Sequence, residues 1–130
     1  MIVLCCDVPA PNSGTLANFA KHALEGMARG YAAMMPYWRL PPLYRSGVRF
    51  AYEPHHGTGI EDWAAPITTY RRRVGDCDDL VIYRLAELYA GGEDGASCRA
   101  LWLNESVHVL VRRADGSIED PAVALGAPHP

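Results

Sequence analysis

The chain has 130 residues, of which 49% are hydrophobic and 21% are charged, so it can bury one core but not two. Its net charge of -3 gives it no overall positive charge of the kind that most nucleic-acid-binding domains carry, and no stretch approaches the roughly 20 apolar residues that cross a bilayer. We therefore expect one domain over residues 1–130, with neither a nucleic acid nor a membrane as its partner.

The four cysteines are Cys5, Cys6, Cys77 and Cys98, and none of them shows the C-x-x-C spacing of a metal site. Adjacent Cys5 and Cys6 are also a poor disulfide framework. The apolar run at residues 1–6 is shorter than a signal peptide and has no basic leader. These features predict a reducing cytoplasm, bacterial or viral. For Cys5, Cys6 and Cys98 we expect the ordinary role of a small buried hydrophobe.

Residues 1–74 predict a helical region followed by an extended arm. Apolar side chains recur at three- and four-residue steps over residues 15–35, which predicts a helix that Pro36 ends. Residues 36–54 are rich in proline and aromatic side chains, which is typical of an extended arm over a core. Alternation at residues 48–52 predicts a short edge strand in that arm.

Two short helices are predicted after the arm. The first begins near residue 60 and includes Trp63, and the second runs from 66 to 73 with Pro66 in its first turn. His55 and His56 precede them in a glycine-flanked loop, a position that favours surface histidines over metal ligands.

Residues 75–89 predict a helix with a cysteine at its start. Asp76 is a good N-cap, and Asp79 lies three residues later, where a carboxylate can return a hydrogen bond to the cap. Cys77 then lies in the first turn, where backbone N–H groups and the helix dipole favour a thiolate. The neighbouring aspartates oppose that charge, so a nucleophilic Cys77 requires a cationic partner.

Three strands are predicted after this helix, at residues 97–103, 106–113 and 118–120. The second strand carries His108 on the face opposite to its valines. Because helices come first and an antiparallel meander follows the cysteine helix, the order predicts the α+β class.

The loop between the last two strands decides whether His108 and Asp120 can meet. A two-residue loop at residues 115–116 would place them on opposite faces of the sheet. A three-residue loop with Gly116 in the left-handed conformation would instead pair Arg113 with Ser117, and Asp120 would then lie diagonal to His108. Glycine at position 116 favours the second arrangement.

The helix that begins Gly75-Asp76-Cys77, the strand that carries His108 and the Asp120-Pro121 dipeptide together resemble the core of the transglutaminase-like cysteine hydrolases. The resemblance implies a papain-like core, in which the nucleophile helix packs against an antiparallel sheet of three or more strands. It covers residues 75–121. The preceding stretch, residues 42–63, is similar to what precedes this core in small bacteriophage or prophage members.

That resemblance implies a catalytic triad in which Cys77 is the nucleophile, His108 the base and Asp120 the orienting acid. The reaction would be acyl transfer on amide bonds of a protein or peptide through a thioester, as in peptide hydrolysis, deamidation or transglutamination. It requires no cofactor and no metal. Phage or prophage structural proteins are candidate partners, and the virion is an alternative location.

The oxyanion of such a reaction would meet the Cys77 backbone N–H and one side-chain donor. The sequence offers four candidates and does not choose among them: Trp38, Tyr44, Trp63 and Asn104.

Two alternatives remain open. The same fold could be a catalytically idle binding or virion-assembly module. Alternatively, Asp76, Asp78, Asp79 and His108 could bind a divalent metal for phosphate-ester hydrolysis. Asp120 also has a plainer role available to it, as a cap for the turn around Pro121.

Overall fold

The computed structural model of the chain describes residues 2–4, 13–52, 61–103 and 106–128. The helices of these segments are α1 (Ser13–Ala32), α2 (Met35–Trp38), α3 (Pro66–Arg72), α4 (Cys77–Ala90) and α5 (Pro121–Ala124), with a 3₁₀ turn at Leu43–Arg45. The strands are β1 (Ile2–Leu4), β2 (Arg49–Phe50), β3 (Glu61–Trp63), β4 (Val74–Gly75), β5 (Ser97–Leu103), β6 (Ser106–Arg112) and β7 (Ile118–Glu119).

The strands form three small sheets. β5, β6 and β7 make an antiparallel meander in that order, β1 pairs antiparallel with β3, and β2 pairs parallel with β4. The helices pack against the three-stranded meander, so the α+β class is confirmed.

Helix α4 lies between two groups of buried side chains. One group, the first core cluster, joins α4 to α1 and to the β5–β6 pair. Its buried members are Leu24, Ala28, Trp63, Val81, Ile82, Leu85, Leu88, Tyr89, Ala96, Cys98, Val109 and Val111. The other, the second core cluster, joins α4 to the 3₁₀ turn and to α5. Its buried members are Leu43, Val48, Leu80, Tyr83, Ala122 and Leu125.

The first long helix is shorter than predicted at its carboxyl end. α1 stops at Ala32, and Pro36 lies in the first turn of α2 instead of ending a helix that reaches residue 35. Proline has no N–H to donate, but the first turn of a helix does not use that N–H. Pro36 therefore opens a new short helix.

The predicted extended arm is wrong in part. Residues 36–54 contain α2 and the 3₁₀ turn, and the strand predicted at 48–52 is reduced to β2. Phe50 in β2 donates its backbone N–H to the Leu125 carbonyl (3.0 Å), while β2 also pairs with β4. The strand is thus bonded on both sides, and long-range partners that no local pattern reveals decide its limits.

Trp63 was predicted to lie in a helix, and this is wrong. It is the last residue of β3, where it is aligned with Ile2 of β1. The partner strand lies at the amino end of the chain, about 60 residues before Trp63, so the local sequence around Trp63 could not indicate it. His55 and His56, predicted to be surface histidines, lie outside the described residues.

The remaining elements follow the sequence closely. The helix predicted from residue 66 is α3, the cysteine helix is α4, and β5, β6 and β7 agree with the three predicted strands to within one residue. Within the described residues, none of the helices is long and apolar enough to cross a membrane.

Candidate active site

Cys77 is the first residue of α4, and a reciprocal pair of hydrogen bonds fixes the start of that helix. Asp76 is the N-cap and accepts the Asp79 backbone N–H on Oδ1 (3.2 Å), while the Asp76 N–H donates to Asp79 Oδ2 (3.4 Å). The predicted capping box is therefore confirmed. The Cys77 thiol is half-buried and forms no disulfide.

The surroundings of Cys77 come from both core clusters. Its side chain packs against the first core cluster, which includes Val109 of β6. It also packs against the second, which includes Ala122 shortly after Asp120. Cys77 therefore borders both core clusters, and β6 and α5 each pack against the helix that it begins.

His108 and Asp120 form a hydrogen-bonded pair. His108 Nε2 lies 2.9 Å from Asp120 Oδ2, and the two side chains are only 18% and 23% exposed. Their meeting depends on the loop at residues 114–116, in which Gly116 has φ of 90° and the Arg113 N–H donates to the Ser117 carbonyl (2.8 Å). The predicted three-residue loop is confirmed, and it sets the register that places Asp120 next to His108.

Asp120 has a second partner. Its Oδ1 accepts the Val123 backbone N–H (3.2 Å), which makes it the N-cap of α5. The plainer role of Asp120 is thus present together with its contact to His108, and each of its two oxygens serves one of them.

Glu119, the neighbour of Asp120, faces α4 and was missed by the sequence analysis. Arg84 of α4 donates two hydrogen bonds to its carboxylate, Nε to Oε1 (2.8 Å) and Nη2 to Oε2 (3.2 Å). Arg113 donates to Oε2 (2.8 Å) and the Tyr44 hydroxyl to Oε1 (2.6 Å). Burial opposes ionisation, but these bonds outweigh it and lower the pKa of Glu119 to about 2. The alternation of a strand was the available signal, since it predicts that Glu119 and Asp120 face opposite ways.

Of the four candidate oxyanion donors, one is already hydrogen-bonded and another lies on a helix whose first residues reach the far end of α4. The Tyr44 hydroxyl is committed to Glu119. Trp38 belongs to α2, whose first residues line a shallow cavity with Glu87 and Gly91. Glu87 lies ten residues along α4 from Cys77, about 15 Å at the rise of an α-helix. Asn104 lies outside the described residues.

Trp63 is the candidate that the structure leaves available. It is 4% exposed and belongs to the first core cluster, against which Cys77 packs. Its indole Nε1 is buried and has no hydrogen-bond acceptor within the described part of the chain. The residue after it, Ala64, donates its N–H to Asp79 Oδ1 (2.8 Å), which ties this end of β3 to the first turn of α4.

Asp79 is a buried carboxyl group, 4% exposed. Burial and the nearby charge of Asp76 raise its pKa to about 8, although the N–H groups of Ala64 and Asp76 favour the ionised form. Its contacts are those of a group that attaches β3 to α4.

The structure gives no support to the alternative of a divalent metal bound by the aspartates near Cys77 and by His108. Among the residues that the structure describes, no group of three His, Cys, Asp or Glu side chains could hold a metal ion.

Cys98 is 1% exposed, and burial raises the pKa of its thiol to about 12, with the Glu25 charge adding to the effect. This agrees with the structural role predicted for Cys98.

Comparison of the chain with protein-family models, with curated proteins and with solved structures finds no match. The residues of the site are therefore the basis on which a function can be assigned.

The buried carboxyl of Asp79 predicts a pH-dependent stability. Its pKa rises from 3.8 to about 8 in the folded chain, so the folded state binds more protons than the unfolded state between these values. The free energy of unfolding then falls as pH rises from about 4 to about 8, by at most about 1.4 kcal/mol per pH unit. Asp79→Asn removes the titrating group, and we expect a flatter profile in urea unfolding at pH 5 and pH 8.

Asp115→Asn is a suitable control for that measurement, because Asp115 is exposed and its pKa is lowered by hydrogen bonds from Ser117. Parallel pH profiles for the wild type and Asp79→Asn would contradict a raised pKa at Asp79.

Proposed function

We propose that this chain is a cysteine-dependent acyltransferase or hydrolase with a transglutaminase-like, papain-like core. The observation that carries the proposal is the 2.9 Å contact between His108 on β6 and Asp120 at the start of α5, two elements that pack against α4, the helix that Cys77 begins. The order Cys-His-Asp along the chain supports the same assignment.

His108 would act as the base. Its Nε2 is the nitrogen next to Asp120, so an ionised Asp120 holds a proton on Nε2 and leaves Nδ1 to accept the Cys77 proton. The resulting imidazolium is the cation that a thiolate among aspartates requires.

The Cys77 thiolate would then attack an amide carbonyl of a protein or peptide. The tetrahedral oxyanion meets the Cys77 backbone N–H and the indole N–H of Trp63, and its collapse expels an amine that takes a proton from His108. The thioester that remains is transferred to water, which gives peptide hydrolysis or deamidation, or to an amine, which gives transglutamination.

The substrates and location that we propose follow from the resemblance to small phage members. Phage or prophage structural proteins are candidate substrates, and the bacterial cytoplasm or the virion is the proposed location. No cofactor is needed for this chemistry. An idle assembly module of the same fold would share the architecture without a reactive Cys77, and thiol chemistry separates the two.

Cys77 is expected to alkylate at least about tenfold faster than Cys98 with iodoacetamide at pH 6, because the His108 imidazolium favours the thiolate. Peptide-resolved mass spectrometry measures each cysteine separately, and buried Cys98 is the internal control. His108→Ala should remove the advantage of Cys77. Equal rates for Cys77 in the wild type and in His108→Ala would leave no active pair and favour the idle module.

The two roles of Asp120 can be separated by two substitutions. Asp120→Asn keeps an oxygen that can cap α5 but loses the negative charge beside His108, so we expect a small change in thermal midpoint and a shifted pH profile of Cys77 alkylation. Asp120→Ala should shift both, with about 1 kcal/mol of stability lost with the cap. An unshifted pH profile in both variants would assign Asp120 to structure alone.

Trp63→Phe tests the oxyanion donor. Alkylation by iodoacetamide passes through no oxyanion, whereas thioester formation from an activated ester does. We therefore expect an unchanged alkylation rate and a loss of about 10²–10³ in the rate of p-nitrophenyl ester cleavage. Trp38→Phe is the matched control, since Trp38 belongs to α2, whose first residues line a cavity near the other end of α4. A loss in both reactions would indicate a packing role for Trp63.

A further inference from the structure

Positive charge is concentrated on one part of this negatively charged chain. Six of its 12 Lys and Arg residues lie between positions 39 and 73, although the net charge is -3. Five of these side chains are exposed on neighbouring elements and are called here the arginine surface: Arg45, Arg49, Arg71, Arg72 and Arg73.

The arginine surface is continuous because its elements are bonded to one another. The Arg49 backbone N–H donates to the Arg73 carbonyl (3.0 Å), next to the β2–β4 pairing that aligns Arg49 with Val74. The Arg73 guanidinium donates to the Ser46 carbonyl (2.9 Å) and lies 4.0 Å from the ring of Tyr70. The 3₁₀ turn, β2 and the end of α3 are thereby held side by side.

This surface leads directly to Cys77. β4 follows α3 and ends at Gly75, two residues before Cys77, and the Ala51 N–H donates to the Gly75 carbonyl (2.9 Å). Arg73 is four residues from Cys77, so their α-carbons lie at most about 14 Å apart. An extended peptide with its reacting amide at Cys77 covers that distance with about four residues.

Three of the exposed guanidinium groups have unused pairing capacity. Within the described segments, Arg45, Arg49 and Arg71 form no salt bridge, whereas Arg84 and Arg113 pair with glutamates. A guanidinium presents two parallel N–H groups that match a carboxylate. Acidic side chains are the ligands that complement this surface.

We propose that the arginine surface binds acidic side chains of a polypeptide substrate, three to five residues from the amide that reacts at Cys77. The inference rests on the proposed function and adds the substrate class to it. A peptide fits better than a nucleic acid because Asp76 and Asp78 flank Cys77. A polyanion with charge at every unit would be repelled there, whereas a peptide can be neutral at its reacting residue.

The test measures binding of fluorescent peptides to the full chain carrying Cys77→Ala, so that no chemistry occurs. Three peptides of about 12 residues have a central Gln and carry Glu, Gln or Lys at the flanking positions. We expect the Glu peptide to bind at least about tenfold more tightly than the Gln peptide at about 50 mM salt, and the difference to shrink at about 300 mM.

Charge reversal locates the effect. Arg45→Glu/Arg49→Glu should abolish the preference for the Glu peptide. Arg99→Glu/Arg112→Glu is the matched control, because it reverses two exposed arginines on β5 and β6 and changes the net charge equally. The control should keep the preference, and thermal midpoints verify that both variants are folded.

Equal losses in the two double variants, or no preference for the Glu peptide, would overturn the proposal. Binding of a single-stranded oligonucleotide as tight as that of the Glu peptide would also overturn it, in favour of nucleic acid. Because binding is measured without the thiol and Cys77 alkylation without the peptide, a failure of substrate selection is distinct from a failure of the proposed function.

Discussion

The burial of α4 on two sides is the constraint on which the rest of the molecule depends. Val81, Ile82 and Leu85 face one core cluster, Leu80 and Tyr83 face the other, and all five are fully buried. Burial of one such aliphatic side chain contributes about 1.5–3 kcal/mol, so the surrounding elements gain most by covering this helix. The residues of α4 that are not buried are Cys77, Asp78, Arg84, Glu87 and Ala90, so the amino end, where Cys77 lies, remains open to other contacts.

Two acidic side chains attach neighbouring segments to α4, and they do so by opposite electrostatic means. Asp79 is buried and accepts the backbone N–H groups of Ala64, which directly follows β3, and of the N-cap Asp76, and its pKa is raised. Glu119 accepts from Arg84, Arg113 and Tyr44, and its pKa is lowered. The first contact fixes the segment that carries Trp63 and the second fixes the strand that leads into Asp120. The segment that carries Trp63 and the strand that leads into Asp120 are thus both attached to α4.

Features encoded within a few residues were predictable from the sequence, and features that depend on distant partners were not. The capping box at residues 76–79 and the three-residue loop before β7 are local, because side-chain chemistry and glycine conformation fix them. Trp63 lies in a strand because β1 pairs with it, and the backbone partners of β2 are Leu125 and β4, both far along the chain. The contact of His108 with Asp120 could be predicted from the loop length. The hydrogen bonds of Arg84 to Glu119 could not, because they join residues 35 positions apart.

The length of the loop at residues 114–116 determines which face of β7 each side chain occupies. Surface loops normally tolerate insertions and deletions, because they add little to a core. Here a change of one residue would exchange the two faces of β7, so that Glu119 would turn toward His108 and Asp120 toward Arg84. Apart from Gly116, whose φ of 90° favours glycine, the residues of this loop could differ between related chains, whereas its length could change only in steps of two.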